Sequence, residues 1–182
     1  MIRKQSNTEF NILTNDPSMT AWGWAVLDST GKILNAGAIK TSPSDKRLKL
    51  RKGDDRIRRI SEINSVLLGV IAKYHVRLIL SEQPHGSQSA VAAVMIGMVT
   101  GMLQTMSDIM AIAIEWYSEG DCKMAMAGKR SLGSKDEMVR LVGKEFDVKW
   151  QGIKWIDQAV ADALAVYNLA TIQSEILKFA KQ

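Results

Sequence analysis

FNILTNDPSMTAWGWAVLDSTGKILNAGAIK, residues 10–40, holds three β-like runs with no helix between them. Phe10–Asn15 is a short apolar run that stops at Asp16-Pro17-Ser18, a turn signal. Ala21–Asp28 and Lys32–Lys40 flank Ser29-Thr30-Gly31 and read as a hairpin. A dinucleotide-binding fold opens strand–helix–strand instead. No G-x-G-x-x-G follows the first run, and no P-loop occurs anywhere in the chain. The opening is therefore an antiparallel three-strand unit.

Downstream the pattern alternates. Ile57, Ile60, Ile63, Leu67, Val70, Ile71 and Tyr74 recur at helical spacing and predict an amphipathic helix over about 55–74. VRLILS (76–81) has the β-branched and leucine character of a buried strand and stops at Glu82-Gln83-Pro84. An uncharged helix is predicted over about 88–107. Its Ala93, Gly97 and Gly101 are spaced by four, which suggests that it lies flat against a sheet. AIAIEW (111–116) reads as a fifth strand. Ser134-Lys135-Asp136-Glu137 has the form of a capping box opening a helix, and a last helix is predicted from near Asp157 through ADALAVYNLA. The order β-β-β-α-β-α-β-α-α makes an α/β fold with a mixed five-stranded sheet flanked by helices, in one domain spanning residues 1–182.

Composition narrows the function. With 46% hydrophobic and 24% charged residues and only three prolines, the chain of 182 residues can bury a core. One cysteine, Cys122, excludes a disulfide framework, and two histidines, His75 and His85, make a histidine-built metal site improbable. The start, MIRKQSNTEF, lacks the apolar stretch of a signal peptide, and a cytoplasmic location is expected. The apolar run Ala90–Leu103 is shorter than a membrane span and is read as a buried helix, with no membrane partner. Lys46–Arg59 (KRLKLRKGDDRIRR) carries a net +6 against +5 for the whole chain. A basic block beside a near-neutral remainder suggests a polyanionic partner, although a solvated loop would look the same.

The acids stand in unusual places. Asp16 and Glu82 each follow an apolar strand, Asp162 interrupts an apolar helix, and Asp157 lies five residues before it. Bland readings exist for three of them. Asp16 could be a turn aspartate, Glu82 a solvated strand end, and Asp157 a helix N-cap. If the two strands are neighbours, Asp16 and Glu82 share a sheet edge, and a helix crossing it could add Asp162 or Asp157. Carboxylates converging without a buried cation call for a hard divalent metal, Mg²⁺ with Mn²⁺ able to substitute. Two such ions suit in-line displacement at a phosphodiester.

These residues carry a resemblance. Asp16-Pro17-Ser18 with Thr20, Gly23 and Trp24 resembles the opening motif of RuvC-type Holliday junction resolvases. LILSEQP resembles their second motif, KRSLGSKDEMV (129–139) their Gly-then-Lys segment, and ADALAVYNLA their closing motif. The likeness covers about residues 10–170 and is nearest to the short phage-encoded members. It implies an RNase H-like fold, a homodimer, and Mg²⁺-dependent resolution of branched DNA, four-way junctions above all, by paired symmetric nicks.

Carried over, Asp16, Glu82 and Asp162 match the metal-binding acids and Lys135 the basic residue near the scissile phosphate. The family usually has an acid or histidine three residues before the last aspartate. This chain has Ala159 there, and Asp157 is the expected substitute. Thr14-Asn15 stand where many relatives have Gly followed by an apolar residue. Lys46, Arg47, Lys49, Arg51, Lys52, Arg56, Arg58 and Arg59, with Lys129 and Arg130, are the expected DNA contacts, gripping phosphates without reading sequence. His85 could touch phosphate or base, and Trp22 and Trp24 point to one face as core residues. Competing readings are a non-catalytic branched-DNA binder and a RuvC-like nuclease acting on RNA. A sugar-kinase or actin-like ATPase would need two such domains, for which the chain is too short.

Overall fold

The computed structural model describes residues 10–180, so all but the last residue of MIRKQSNTEF lies outside the described residues. Strands β1 (Asn11–Asp16), β2 (Ala21–Leu27) and β3 (Ile33–Lys40) are followed by helix α1 (Lys52–Tyr74), β4 (Val76–Gln83), α2 (Ala90–Met110) and β5 (Ala113–Ser118). Helices α3 (Glu119–Ala127), α4 (Lys135–Glu145), α5 (Lys154–Gln173) and α6 (Glu175–Ala180) complete the fold. The sheet order is β3-β2-β1-β4-β5. The β1–β2 and β2–β3 pairs are antiparallel, and β1–β4 and β4–β5 are parallel. The mixed five-stranded sheet is the expected one.

Period-two alternation sorts the strands between two cores. Leu13, Trp22, Trp24 and Ile79 face α1 and α2, where Ile63, Leu67, Val99 and Leu103 meet them. Ile12, Ala25, Leu78, Leu80 and Tyr117 face α5, meeting Leu164, Ala165 and Val166. Asp16 shares the parity of Ile12, and Glu82 that of Leu78 and Leu80, so both acids project from the sheet on the α5 side. Helix α5 comes close because β2 carries glycine at the crossing: a Cβ on Gly23 would stand 1.9 Å from the Ala159 carbonyl oxygen. At the hairpin, Asp28 Oδ1 accepts from the backbone N–H of Thr30 (2.9 Å) and of Lys32 (3.0 Å), and Gly31 takes φ +91°.

Several boundaries differ from expectation. The fifth strand lies two residues later, because α2 runs to Met110 and Ala111 closes it in the left-handed region at φ 51°. Helices α3 and α6 were not anticipated. The capping box at Ser134 is not made: Ser134 gives no capping bond, and Glu137 Oε2 accepts from Gly133 N–H at 2.9 Å. Helix α5 starts at Lys154, not at Asp157.

Helix α2 is not the buried helix expected. It is 21 residues long with mean hydropathy 1.5, long and apolar enough to cross a membrane, and only 22% of that span is buried. Val99, Leu103 and Met106 pack inward, whereas Gly97 and Gly101 face open space and Val91, Val94, Ile109 and Met110 are exposed. Both ends of α2 feed hydrogen-bonded neighbours, β4 and β5, so it is the crossover connection of one sheet.

Candidate active site

The parallel register sets Asn15 beside Ser81 and so carries Asp16 and Glu82 side by side out of the sheet's end. Asp162 reaches them from α5. The three acids line one cleft of about 630 Å³ with Glu119, Lys123 and Lys135. Burial raises the pKa of Asp16 first, the Asp162 carboxylate raises it further, and Lys135 pulls it back. Glu82 is likewise raised, by burial and then by Asp16 and Glu119. Burial pushes Asp162 up to about 6, with Lys135 and Lys123 opposing. Four carboxylates thus face two ammonium groups and the Arg130 guanidinium, itself paired with Asp121, and the excess negative charge is expensive to keep ionised.

The structure does not bring Asp157 to this cleft. It sits in the first turn of α5, lines a separate depression with Asp136 and Trp150, and accepts from Gln151 N–H at 2.9 Å. The expectation of Asp157 as the substitute for an acid at position 159 is therefore corrected: its side chain ties the preceding loop to the helix. Glu119 and Lys123 were missed. A readable signal marks them, since Ser118-x-x-Asp121 is an N-cap pattern and Ser118 Oγ does accept from Asp121 N–H at 3.1 Å, with Gly128 closing the helix at φ 69°.

The basic block divides. Lys46, Arg47, Lys49 and Lys52 are exposed, Arg56 is partly buried, and none makes an ion pair among the described residues. Arg59 is a correction. It is 5% exposed and donates to the Met19 carbonyl at 3.0 Å and Thr41 Oγ1 at 2.7 Å, so it clamps α1 to the end of the sheet. Arg58 binds Asp55, Glu62 and the Ser42 carbonyl. Arg51 pairs with Asp54, Arg130 with Asp121 and Lys129 with Glu137, which spends part of their charge locally. The block follows β3, which is antiparallel to β2 as β1 is, so it emerges at the same sheet end as Asp16. His85 is exposed, its Nε2 3.7 Å from Glu119 Oε2.

Asn15 is fully buried on the opposite face from Asp16. Its Oδ1 accepts from Trp22 Nε1 at 3.0 Å, while its Nδ2 has no protein partner. The departure Thr14-Asn15 therefore leaves Asp16 in place and puts a buried polar pair behind it.

Five mixed strands, helices on both faces and acids gathered where α5 crosses the strand ends define an RNase H-like α/β fold with an acidic cleft. No family model matches the chain. It is 24% identical over 166 residues to the crossover junction endodeoxyribonuclease RuvC of Ehrlichia ruminantium, covering 87% of this chain and 98% of that one. It is 28% identical over 152 residues to the RuvC of Parvibaculum lavamentivorans, covering 83% and 80%. Among solved structures, Thermus thermophilus RuvC in complex with Holliday junction substrate superposes with TM-score 0.69 at 18% identity, covering 92% of this chain and 96% of that one. The yeast mitochondrial Holliday junction resolvase Ydc2 superposes at 0.56 and 15% identity, covering 94% and 85%. By sequence and by fold the chain is similar to these RuvC proteins.

Proposed function

We propose that this chain is a divalent-metal-dependent endonuclease that resolves four-way and other branched DNA by paired symmetric nicks. The observation that carries this reading is the convergence of Asp16, Glu82 and Asp162 in one cleft, at the sheet end from which the basic loop also emerges. The donor set fits a hard cation: it is all carboxylate oxygen, and with Glu119 the four acids outnumber the cleft's three cations, Lys123, Lys135 and Arg130. Among the described residues no three acids close on a common point. Mg²⁺ or Mn²⁺ held by Asp16, Glu82 and Asp162 would activate water and stabilise the leaving oxygen. Lys135, first residue of α4, offsets charge on the scissile phosphate. Lys46, Arg47, Lys49, Lys52 and Arg56 hold duplex phosphates. Such a substrate is consistent with a cytoplasmic location.

A homodimer suits paired nicks, and α2 is the face that supports one. Its exposed Val91, Val94 and Ile109 flank Gly97 and Gly101, which let a second backbone approach closely. The decisive experiment is cleavage of a labelled four-way junction in Mg²⁺, beside Asp16→Asn and a linear duplex. Paired symmetric nicks by the unmodified chain alone are expected. Binding that survives EDTA with no nicks in Mg²⁺ or Mn²⁺ would leave a branched-DNA-binding protein, and cutting of RNA in place of junctions would redirect the substrate.

A further inference from the structure

Three adjacent parallel strands each bring a carboxylate to their C-terminal end. Asp16 closes β1, Glu82 is the penultimate residue of β4, and Glu119 follows directly on β5. Tyr117 pairs with Glu82 and Ser118 with Gln83, so Glu119 is carried to the same edge. We propose that Glu119 is the fourth acid of the cleft, filling the role that Ala159 cannot, and that Lys123 is the counter-ion it releases when a divalent cation enters. This role rests on the nuclease reading above.

Position 159 has no acid to offer, and its backbone is pressed against Gly23 of β2 with the residue buried. Glu119 supplies what is missing from the far side of the cleft. Ser118 caps α3 and fixes its first turn, and Lys123 stands one turn on, so the helix presents an acid and its cation together. Among the described acids lining the cleft, Glu119 is the one in a lysine ion pair; Asp16, Glu82 and Asp162 have none. Its side chain is 38% exposed, so a hydrated cation can reach it from solvent. A lysine at i+4 is a mobile partner worth little at such exposure, and it can be displaced by a doubly charged ion.

The alternative is that Glu119 merely positions Lys123, and the two roles have opposite signatures. Mn²⁺ binding to the full chain would be measured by calorimetry for Glu119→Gln, Lys123→Gln and the remote control Glu145→Gln, with circular dichroism as the check on folding. Glu119→Gln is expected to weaken Mn²⁺ binding about tenfold or to remove one bound ion, and to slow junction cutting. Lys123→Gln is expected to tighten Mn²⁺ binding by removing the competing charge, and Glu145→Gln to match the unmodified chain. Unchanged Mn²⁺ binding in Glu119→Gln, or weaker binding in Lys123→Gln as well, would overturn the role. If the unmodified chain binds Mn²⁺ and cuts junctions while Glu119→Gln does both equally, only this inference fails. An unmodified chain that does neither sinks the nuclease reading with it.

Discussion

Replacing Asp162 by asparagine should stabilise the metal-free chain while abolishing cleavage. The Asp162 carboxyl is pushed from 3.8 up to about 6, chiefly by burial. The folded chain then holds that proton more tightly than the unfolded chain does. Stability therefore falls as pH rises from about 4 to about 6 and stays low above. Fully ionised, the group costs folding about 3 kcal/mol, at roughly 1.4 kcal/mol for each tenfold in proton affinity. For a chain of this size that is a rise in Tm of about 6–12 °C in Asp162→Asn near pH 8. By about pH 5 the advantage should shrink to roughly half, because the native carboxyl is then largely protonated. The assay is thermal unfolding in EDTA at both pH values, with junction cleavage in Mg²⁺ alongside. An Asp162→Asn chain that is less stable near pH 8, or whose advantage does not shrink on acidification, would refute the account of the cleft as a store of uncompensated charge.

Neutralising Lys46, Arg47 and Lys49 together should weaken junction binding and lower the salt slope by about 2–3 without moving Tm. Arg59→Met should do the reverse, costing about 2–4 kcal/mol of stability in a denaturant melt through the loss of its buried hydrogen bonds. Trp22→Phe should cost about 1–3 kcal/mol because it leaves the whole Asn15 amide orphaned, and adding Asn15→Leu should recover most of it. Val94→Glu on the exposed face of α2 should convert a dimer to a monomer in analytical ultracentrifugation while single-site nicking persists.

Much of the fold was legible because alternation and turn chemistry act locally. The three opening strands, the amphipathic stripe of α1 and the buried run of β4 all lie within two or three residues of where periodicity puts them. Asp16, Glu82 and Asp162 were legible for a related reason: an acid inside an apolar pattern contradicts the pattern. Glu119 is marked only indirectly, by the N-cap pattern Ser118-x-x-Asp121, because it lies beyond the apolar run AIAIEW and interrupts no apolar pattern of its own. Asp157 misled because α5 begins at Ile153-Lys154 with no capping side chain, leaving Asp157 as the sole visible start signal. Arg59 sits four residues before Ile63 on the buried stripe of α1. Its spacing pointed inward while the charge run pointed outward, and counting charge alone chose wrongly.

Asp16 pairs across the ladder with Gly23, and Gly23 is where α5 leans on the sheet. The height of Asp162 above Asp16 is thus gauged by main chain against main chain, the stiffest feeler available, rather than by side chains that could repack. Apolar residues elsewhere in that core can drift without altering the gauge. A single methyl at position 23 would act as a shim, lifting the helix and parting the acids though none of them had been touched.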